Sequence, residues 1–207
     1  HTMDESNIQG SEAWLKSRVG IVTASRFADV MTKIKSGEAA ARYNYKAEII
    51  AERLTGLPTP SFTTAPMQWG IDNEPDARAI YAAIKGVEVA ETGLVKHKTI
   101  KAGASPDGLV GSDGLIEIKA PNTATHIMTM LSGVSPKKYY AQMQGQMWIT
   151  GRKWCDFVSY DPRLDAKRAI FITRVERDDD YIESLEDAVL DFLEEVDELI
   201  TQLEGMK

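Results

Sequence analysis

The 207-residue chain is 43% hydrophobic and 27% charged, which suits one soluble intracellular domain large enough to bury its own core. No apolar run approaches the roughly 18 residues of a membrane span and no charged-then-apolar leader opens the sequence. One cysteine and three histidines exclude an internal disulfide and leave a structural zinc site without ligands. The net charge of −7 argues against a nucleic-acid partner only until its distribution is seen. Residues 178–207 hold twelve acids and one base, so 19 acids and 23 bases precede them and that body carries +4. His1 and Thr2 read as a tag remnant before Met3, and residues 4–207 as one domain, since no repeat or low-complexity linker divides them.

In chain order, Trp14, Leu15 and Arg18 suggest a short helix, and Thr23-Ala24-Ser25 can cap a second over Arg26–Met31. Residues 34–41 are small and polar and read as a loop. A helix over Arg42–Thr55 should stop at Gly56 and Pro58. After a proline-rich extended stretch at 59–66, Gln68–Ala83 is helical. Strand-like pieces follow at Val87–Glu91, Gly93–His97, Ala102–Ser105 and Leu109–Val110, and Leu115–Lys119 alternates strictly. Thr123–Leu131 and Pro136–Ile149 read as helices, and Trp154–Tyr160 and Arg168–Val175 as strands. Residues 179–204 form a long amphipathic helix whose acids face solvent. Helices before, among and after mixed strands predict an α/β fold: a mixed central β-sheet flanked by helices, with a long C-terminal helix.

One constellation carries chemistry. Ser105-Pro106-Asp107-Gly108 precedes Glu117-Ile118-Lys119, and a hairpin-like return would bring Asp107 beside Glu117. Alternation puts Glu117 and Lys119 on one face while Ile116 and Ile118 enter the core. Two carboxylates at one point of a sheet repel unless a cation lies between them, and Mg²⁺ prefers such oxygen ligands together with substrate phosphate. Lys119 can position or deprotonate water, or offset charge developing on a phosphorane. Glu-x-Lys alone would be an ordinary surface pair; the Pro-Asp-Gly turn and the strand pattern make it more. Elsewhere Trp69 to Arg78 places Glu74 and Arg78 one helical turn apart, a spacing that by itself is an ion pair. Arg18 and Ser25 flank a helix start suited to an anion, and Tyr140 to Trp148 offers glutamines on a helix. Trp69, Trp148 and Trp154 read as core, and Met128, Met130, Met143 and Met147 as packing or a subunit interface. His97 reads as a surface histidine and Cys155 as a small buried hydrophobe.

Taken in order, these motifs resemble the lambda exonuclease or YqaJ-type viral recombinase family of PD-(D/E)xK nucleases, from Trp14 through Asp161-Pro162-Arg163 to the terminal helix. The resemblance implies the restriction-endonuclease-like fold and a 5′-to-3′ double-stranded DNA exonuclease that releases mononucleotides and leaves 3′ tails for recombination by annealing. It assigns Asp107, Glu117, the Ile118 carbonyl and Glu74 to metal binding, with two Mg²⁺ per site and Mn²⁺ as a substitute. It assigns Lys119 and Gln144 to catalysis beside these carboxylates. It places Arg18, Ser25 and Ser105 around a pocket for the 5′-phosphate, Met67 as a wedge at the terminal base pair, and Lys35 along the duplex. A second arginine of that pocket is missing after the lysine strand, and His126, Lys137 or Lys138 would substitute. It further implies a ring-shaped homotrimer, a single-strand annealing partner, and a phage or prophage enzyme in the bacterial cytoplasm. The rivals are an internally cutting endonuclease or nickase, which would open circular DNA, and an inactive end-binding adaptor, which has no need of the charged cluster.

Overall fold

The computed structural model describes residues 8–207, so the tag-remnant reading lies outside the described residues. Helix α1 (Glu12–Ser17) is capped by the Ser11 side chain, which accepts from the Trp14 N–H. A two-residue strand β1 (Val22–Thr23) runs into a 3₁₀ turn at Ala24–Arg26 and then α2 (Phe27–Met31). Thr23 occupies the cap position but makes no side-chain cap bond. Helix α3 (Ala40–Thr55) ends at Gly56, whose φ of 70° is the left-handed value that predicted stop requires. Helix α4 (Ala65–Lys85) is capped by Thr64 and is longer at both ends than its periodicity suggests. Then come β2 (Val95–Lys96), β3 (Ala102–Ala104), β4 (Gly108–Val110) and β5 (Gly114–Lys119). Helix α5 (Thr123–Ser132), a 3₁₀ turn at Lys137–Tyr139, α6 (Tyr140–Thr150), β6 (Trp154–Tyr160), β7 (Ile170–Glu176) and α7 (Asp179–Glu204) complete the chain.

The strands pair as two mixed sheets rather than one. The smaller has the order β1-β3-β2 and the larger β4-β5-β6-β7. Between β3 and β4 lie only Ser105, Pro106 and Asp107, and Pro106 has no N–H to carry a ladder across. The stretch predicted as a strand at Val87–Glu91 contributes a single bridge, Ala90 to Leu109, because β4 beside it is only three residues long. In the larger sheet β5 pairs antiparallel with β4 and parallel with β6, with Glu117 opposite Phe157.

Both faces of that sheet are covered. On one, Ala77 and Tyr81 of α4 pack against Ile116, Ile118 and Val158; on the other, Met143 and Met147 of α6 pack against Leu115, Cys155 and Phe157. Tyr81 also donates from its hydroxyl to Asp156 on β6 (2.6 Å), and Arg174 on β7 holds both oxygens of that buried carboxylate. Thus α4 is fixed to the sheet by a satisfied polar contact as well as by burial. Phe27, Tyr45, Ile49, Leu185, Val189 and Phe192 form a further core beneath α2, α3 and α7. Helix α6 approaches the Ala24–Phe27 turn closely: a Cβ on Gly145 would lie 2.2 Å from the Phe27 ring. Only glycine permits that approach.

The terminal helix does more than present acids to water. Glu195 accepts from Arg42 and Lys46 of α3, and Glu38 joins the same group of charges. Hydrogen bonds from Arg42 first, outweighing partial burial, hold the Glu195 carboxyl down at about 2. Its contribution to stability is therefore complete above the ordinary glutamate value of about 4.3 and disappears as pH falls from there through about 2. Glu195→Gln should flatten the fall in melting temperature across that acid range, followed by circular dichroism. An unchanged acid limb would show that the clasp carries no such dependence.

Candidate active site

The hairpin-like return is real. Gly108 on β4 pairs with Ile116 on β5, so Asp107 arrives alongside Glu117, and its Oδ2 accepts from the Ile118 N–H at 2.8 Å. Lys119 projects on the same face as Glu117, Nζ to Oε1 3.2 Å, and lies over the Tyr139 ring at 4.5 Å. Glu74 on α4 sits against Asp107, and its neighbour one turn on, Arg78, pairs with Glu74 and donates from Nε to the Asp107 carbonyl. Asp107 and Glu117 are almost wholly buried, 8% and 3% exposed.

The Asp107 carboxyl stands well above its usual range, with burial the largest cause. Glu117 and Glu74 push it further, against the pull of the Ile118 N–H. Three acids thus crowd one point. For Lys119 burial acts in the opposite sense, yet Glu117 and Asp107 outweigh it and hold the ammonium above its ordinary value. Lys119 thus stands as a positive charge and donor beside Glu117. Among the described residues no group of three or more Asp, Glu, His or Cys side chains is arranged to hold a metal ion. The donor set is instead an open pair of hard oxygens, from Asp107 and Glu117, with Glu74 against Asp107. It fits a divalent cation of the Mg²⁺ type, which keeps part of its coordination for water and phosphate.

A cavity of about 200 Å³ opens beside the carboxylates, lined by Arg18, Ser25, Ser105, Asp107, Glu117 and Gln146 among others. Arg18 donates to Thr23 Oγ1 (3.3 Å) and lies 4.2 Å over the Trp14 ring; its Nε is buried with no hydrogen-bond partner among the described residues. Burial lowers the Arg18 pKa. Trp14 Nε1 donates to the Ser105 hydroxyl, and the Gln9 amide donates to the Ser105 and Pro106 carbonyls, bracing the turn that leads into Asp107. An under-satisfied guanidinium with two serines beside it is an anion site in the making.

Three sequence-predicted residues stand elsewhere. Gln144 is fully buried on the opposite side of α6, donating to the Glu176 carbonyl and accepting from the Asp178 N–H. Gln142 and Gln146 face the site instead, with Nε2 donating to Glu117 Oε1 (3.2 Å) and Oε2 (2.7 Å) respectively. The spacing held the signal: 142 and 146 are one turn apart and share a face, whereas 144 cannot. His126 is also fully buried, its ring nitrogens bonded to Ser159 Oγ and the Arg168 carbonyl at 2.7 Å each. It has no surface to offer a phosphate. Lys35 is exposed on the segment between α2 and α3 and is not among the residues lining the cavity. Met67 is 49% exposed, two turns before Glu74 and so on the same side of α4. Gln9 joined the site without a sequence signal, because only the fold brings residue 9 to residue 105; Trp14 and Thr23 stood in the motif around Arg18 and Ser25 but with no role in the site assigned to them.

The chain matches the model of the YqaJ-like viral recombinase domain over residues 13–153. It is similar to an alkaline exonuclease from Laribacter hongkongensis, 52% identical, with a TM-score of 0.88 over 94% of this chain and 96% of that one. The same exonuclease has been solved in complex with dAMP. A phage-related exonuclease from Haemophilus somnus, 18% identical, covers 88% of this chain and 96% of its own at a TM-score of 0.70, a likeness of fold. The protein ExoD of Escherichia coli K12 is 32% identical over 65 residues, 31% of this chain and 74% of ExoD.

The glutamine geometry is directly testable. Gln144→Ala should cost about 1–3 kcal/mol in urea unfolding, the penalty for emptying a fully buried site and removing its bonds to the part-buried Glu176 carbonyl and Asp178 N–H. Nuclease activity per folded molecule should persist in Gln144→Ala and fall in Gln142→Ala. The reverse pattern would return Gln144 to the site.

Proposed function

The chain belongs to the YqaJ-like viral recombinase domain family and, with its likeness to an alkaline exonuclease, is a DNA-degrading hydrolase; we propose that it is a Mg²⁺-dependent exonuclease acting 5′ to 3′ on double-stranded DNA. In this reading residues 4–207 act as one domain, release 5′-mononucleotides and leave a 3′ single-stranded tail for annealing-type recombination. The single observation that carries it is the meeting of Asp107, Glu117 and Lys119 beside a cavity that Arg18 enters with a buried, unpaired Nε. A second supporting fact is that the similar alkaline exonuclease holds a deoxynucleoside monophosphate.

Asp107 and Glu117, with Glu74 and the Ile118 carbonyl, would hold the cation. When bound, a divalent metal supplies Lewis acidity and a water of lowered pKa. The chain's own residues do the rest. Gln142 and Gln146 fix the two oxygens of Glu117 so that its carboxylate cannot turn away. Lys119, held charged, donates toward the attacked phosphate and offsets the charge that grows there. Arg18, Ser25 and Ser105 would grip the terminal 5′-phosphate, and a pocket that accepts only an end sets the direction of travel. Met67, on the Glu74 side of α4, would part the last base pair. We further propose a homotrimeric ring, a single-strand annealing partner and a phage-type role in a bacterial cytoplasm. No helix among the described residues is long and apolar enough to cross a membrane.

Linear duplex labelled at either end should lose its 5′ label first, only with Mg²⁺ or Mn²⁺, while closed circles stay intact. Nicked or linearised circles would make the protein an endonuclease. Lys119→Ala should lower turnover on the order of 10²–10³-fold, the loss that follows removal of one donor aimed at developing charge. Arg18→Ala should slow phosphorylated ends and spare hydroxyl ends; equal loss on both would remove Arg18 from end recognition.

A further inference from the structure

Gln146 is only 1% exposed, yet half of its amide has no partner. Its Nε2 donates to Glu117 Oε2 at 2.7 Å, and its Oε1 is buried without a hydrogen bond among the described residues. The orientation follows from chemistry: turned over, the amide would set a carbonyl oxygen against a carboxylate oxygen and repel it. Gln146 also lines the cavity that holds Asp107, Glu117 and the Arg18 guanidinium. A buried acceptor left without a partner on a residue that lines a polar cavity calls for a donor from that side. Of the donors lining it, Trp14 Nε1 is given to Ser105 and one terminal nitrogen of Arg18 to Thr23, while the unpaired Arg18 Nε makes no hydrogen bond to Gln146. The phosphate of a DNA end brings acceptors only. A water polarised by a cation brings donors.

We infer that Gln146 is a positioning residue for the hydration shell of the bound cation: Nε2 fixes Glu117 while Oε1 accepts from a water carried by the metal. The inference rests on the reading of Asp107 and Glu117 as cation ligands. It carries a consequence for cation choice. Mg²⁺ sheds its water reluctantly and binds through several retained waters, whereas Ca²⁺ exchanges water readily for six to eight direct oxygen ligands. An acceptor reserved for a metal-bound water therefore favours Mg²⁺ over Ca²⁺.

The test is cation binding to the DNA-free protein by calorimetry, Mg²⁺ and Ca²⁺ separately, on the native chain and on Asp107→Asn, Gln146→Met and Gln146→Ala. Native protein should bind both ions and Asp107→Asn neither. Gln146→Met should weaken Mg²⁺ about tenfold, in the range typical of outer-shell partners, and leave Ca²⁺ within about twofold. Gln146→Ala, which opens space without adding bulk, should shift the ratio in the same sense and serves where the methionine variant fails to fold. Equal losses for the two ions would reduce Gln146 to a support for Glu117 and overturn the inference, as would unchanged Mg²⁺ binding. Asp107→Asn binding as well as the native chain would instead sink the metal-site reading itself.

Discussion

Asp107 and Glu117 are forced together by a three-residue antiparallel pairing, and the repulsion between them is the constraint that everything nearby answers. One oxygen of Asp107 is occupied by the Ile118 N–H, and both oxygens of Glu117 are occupied by amides from α6. Lys119 supplies one positive charge against three acids. Such a cluster is held in place by the strand and the helices around it. Burial of the Ile116 and Ile118 side chains under α4 keeps β5 from turning, and α4 in turn is pinned through Tyr81 to Asp156. The energy that crowds the acids comes from apolar packing on both faces of the sheet.

The same arrangement divides labour between sides. The α4 side brings Glu74 and, through Arg78, a grip on the Asp107 backbone. The α6 side brings two amides and no charge, so it orients Glu117 without quenching it. The first 25 residues bring Arg18, Ser25 and the Trp14 and Gln9 bonds to the Ser105 turn. In the proposed reading, recognition of a phosphate and chemistry upon one would come from different parts of the chain, meeting at the short link between β3 and β4.

Much of this was legible in the residues. Strict alternation in Leu115–Lys119 fixed which side chains share a face, and the apolar period of 179–204 marked α7 to the residue at both ends. Local patterns carry such information because period follows from backbone geometry. What they could not carry was register between distant segments. A motif match points to Gln144 but says nothing about rotation of the helix; the one-turn spacing of Gln142 and Gln146 puts them on a shared face, and only the fold turns that face to Glu117. His126 looked available because nothing local announces that Ser159 and the Arg168 carbonyl enclose it. The break into two sheets turned on Pro106, a residue read only as part of a metal-binding turn.

Gly145 offers no atoms to the cleft, yet it sets how wide the cleft stands. The turn pressed against it carries Ser25, while the helix it belongs to carries Gln142 and Gln146. A side chain at that position would meet the Phe27 ring and force that turn or the helix to shift. The spacing between the turn that carries Ser25 and the helix that carries the two glutamines thus rests on one residue having no Cβ.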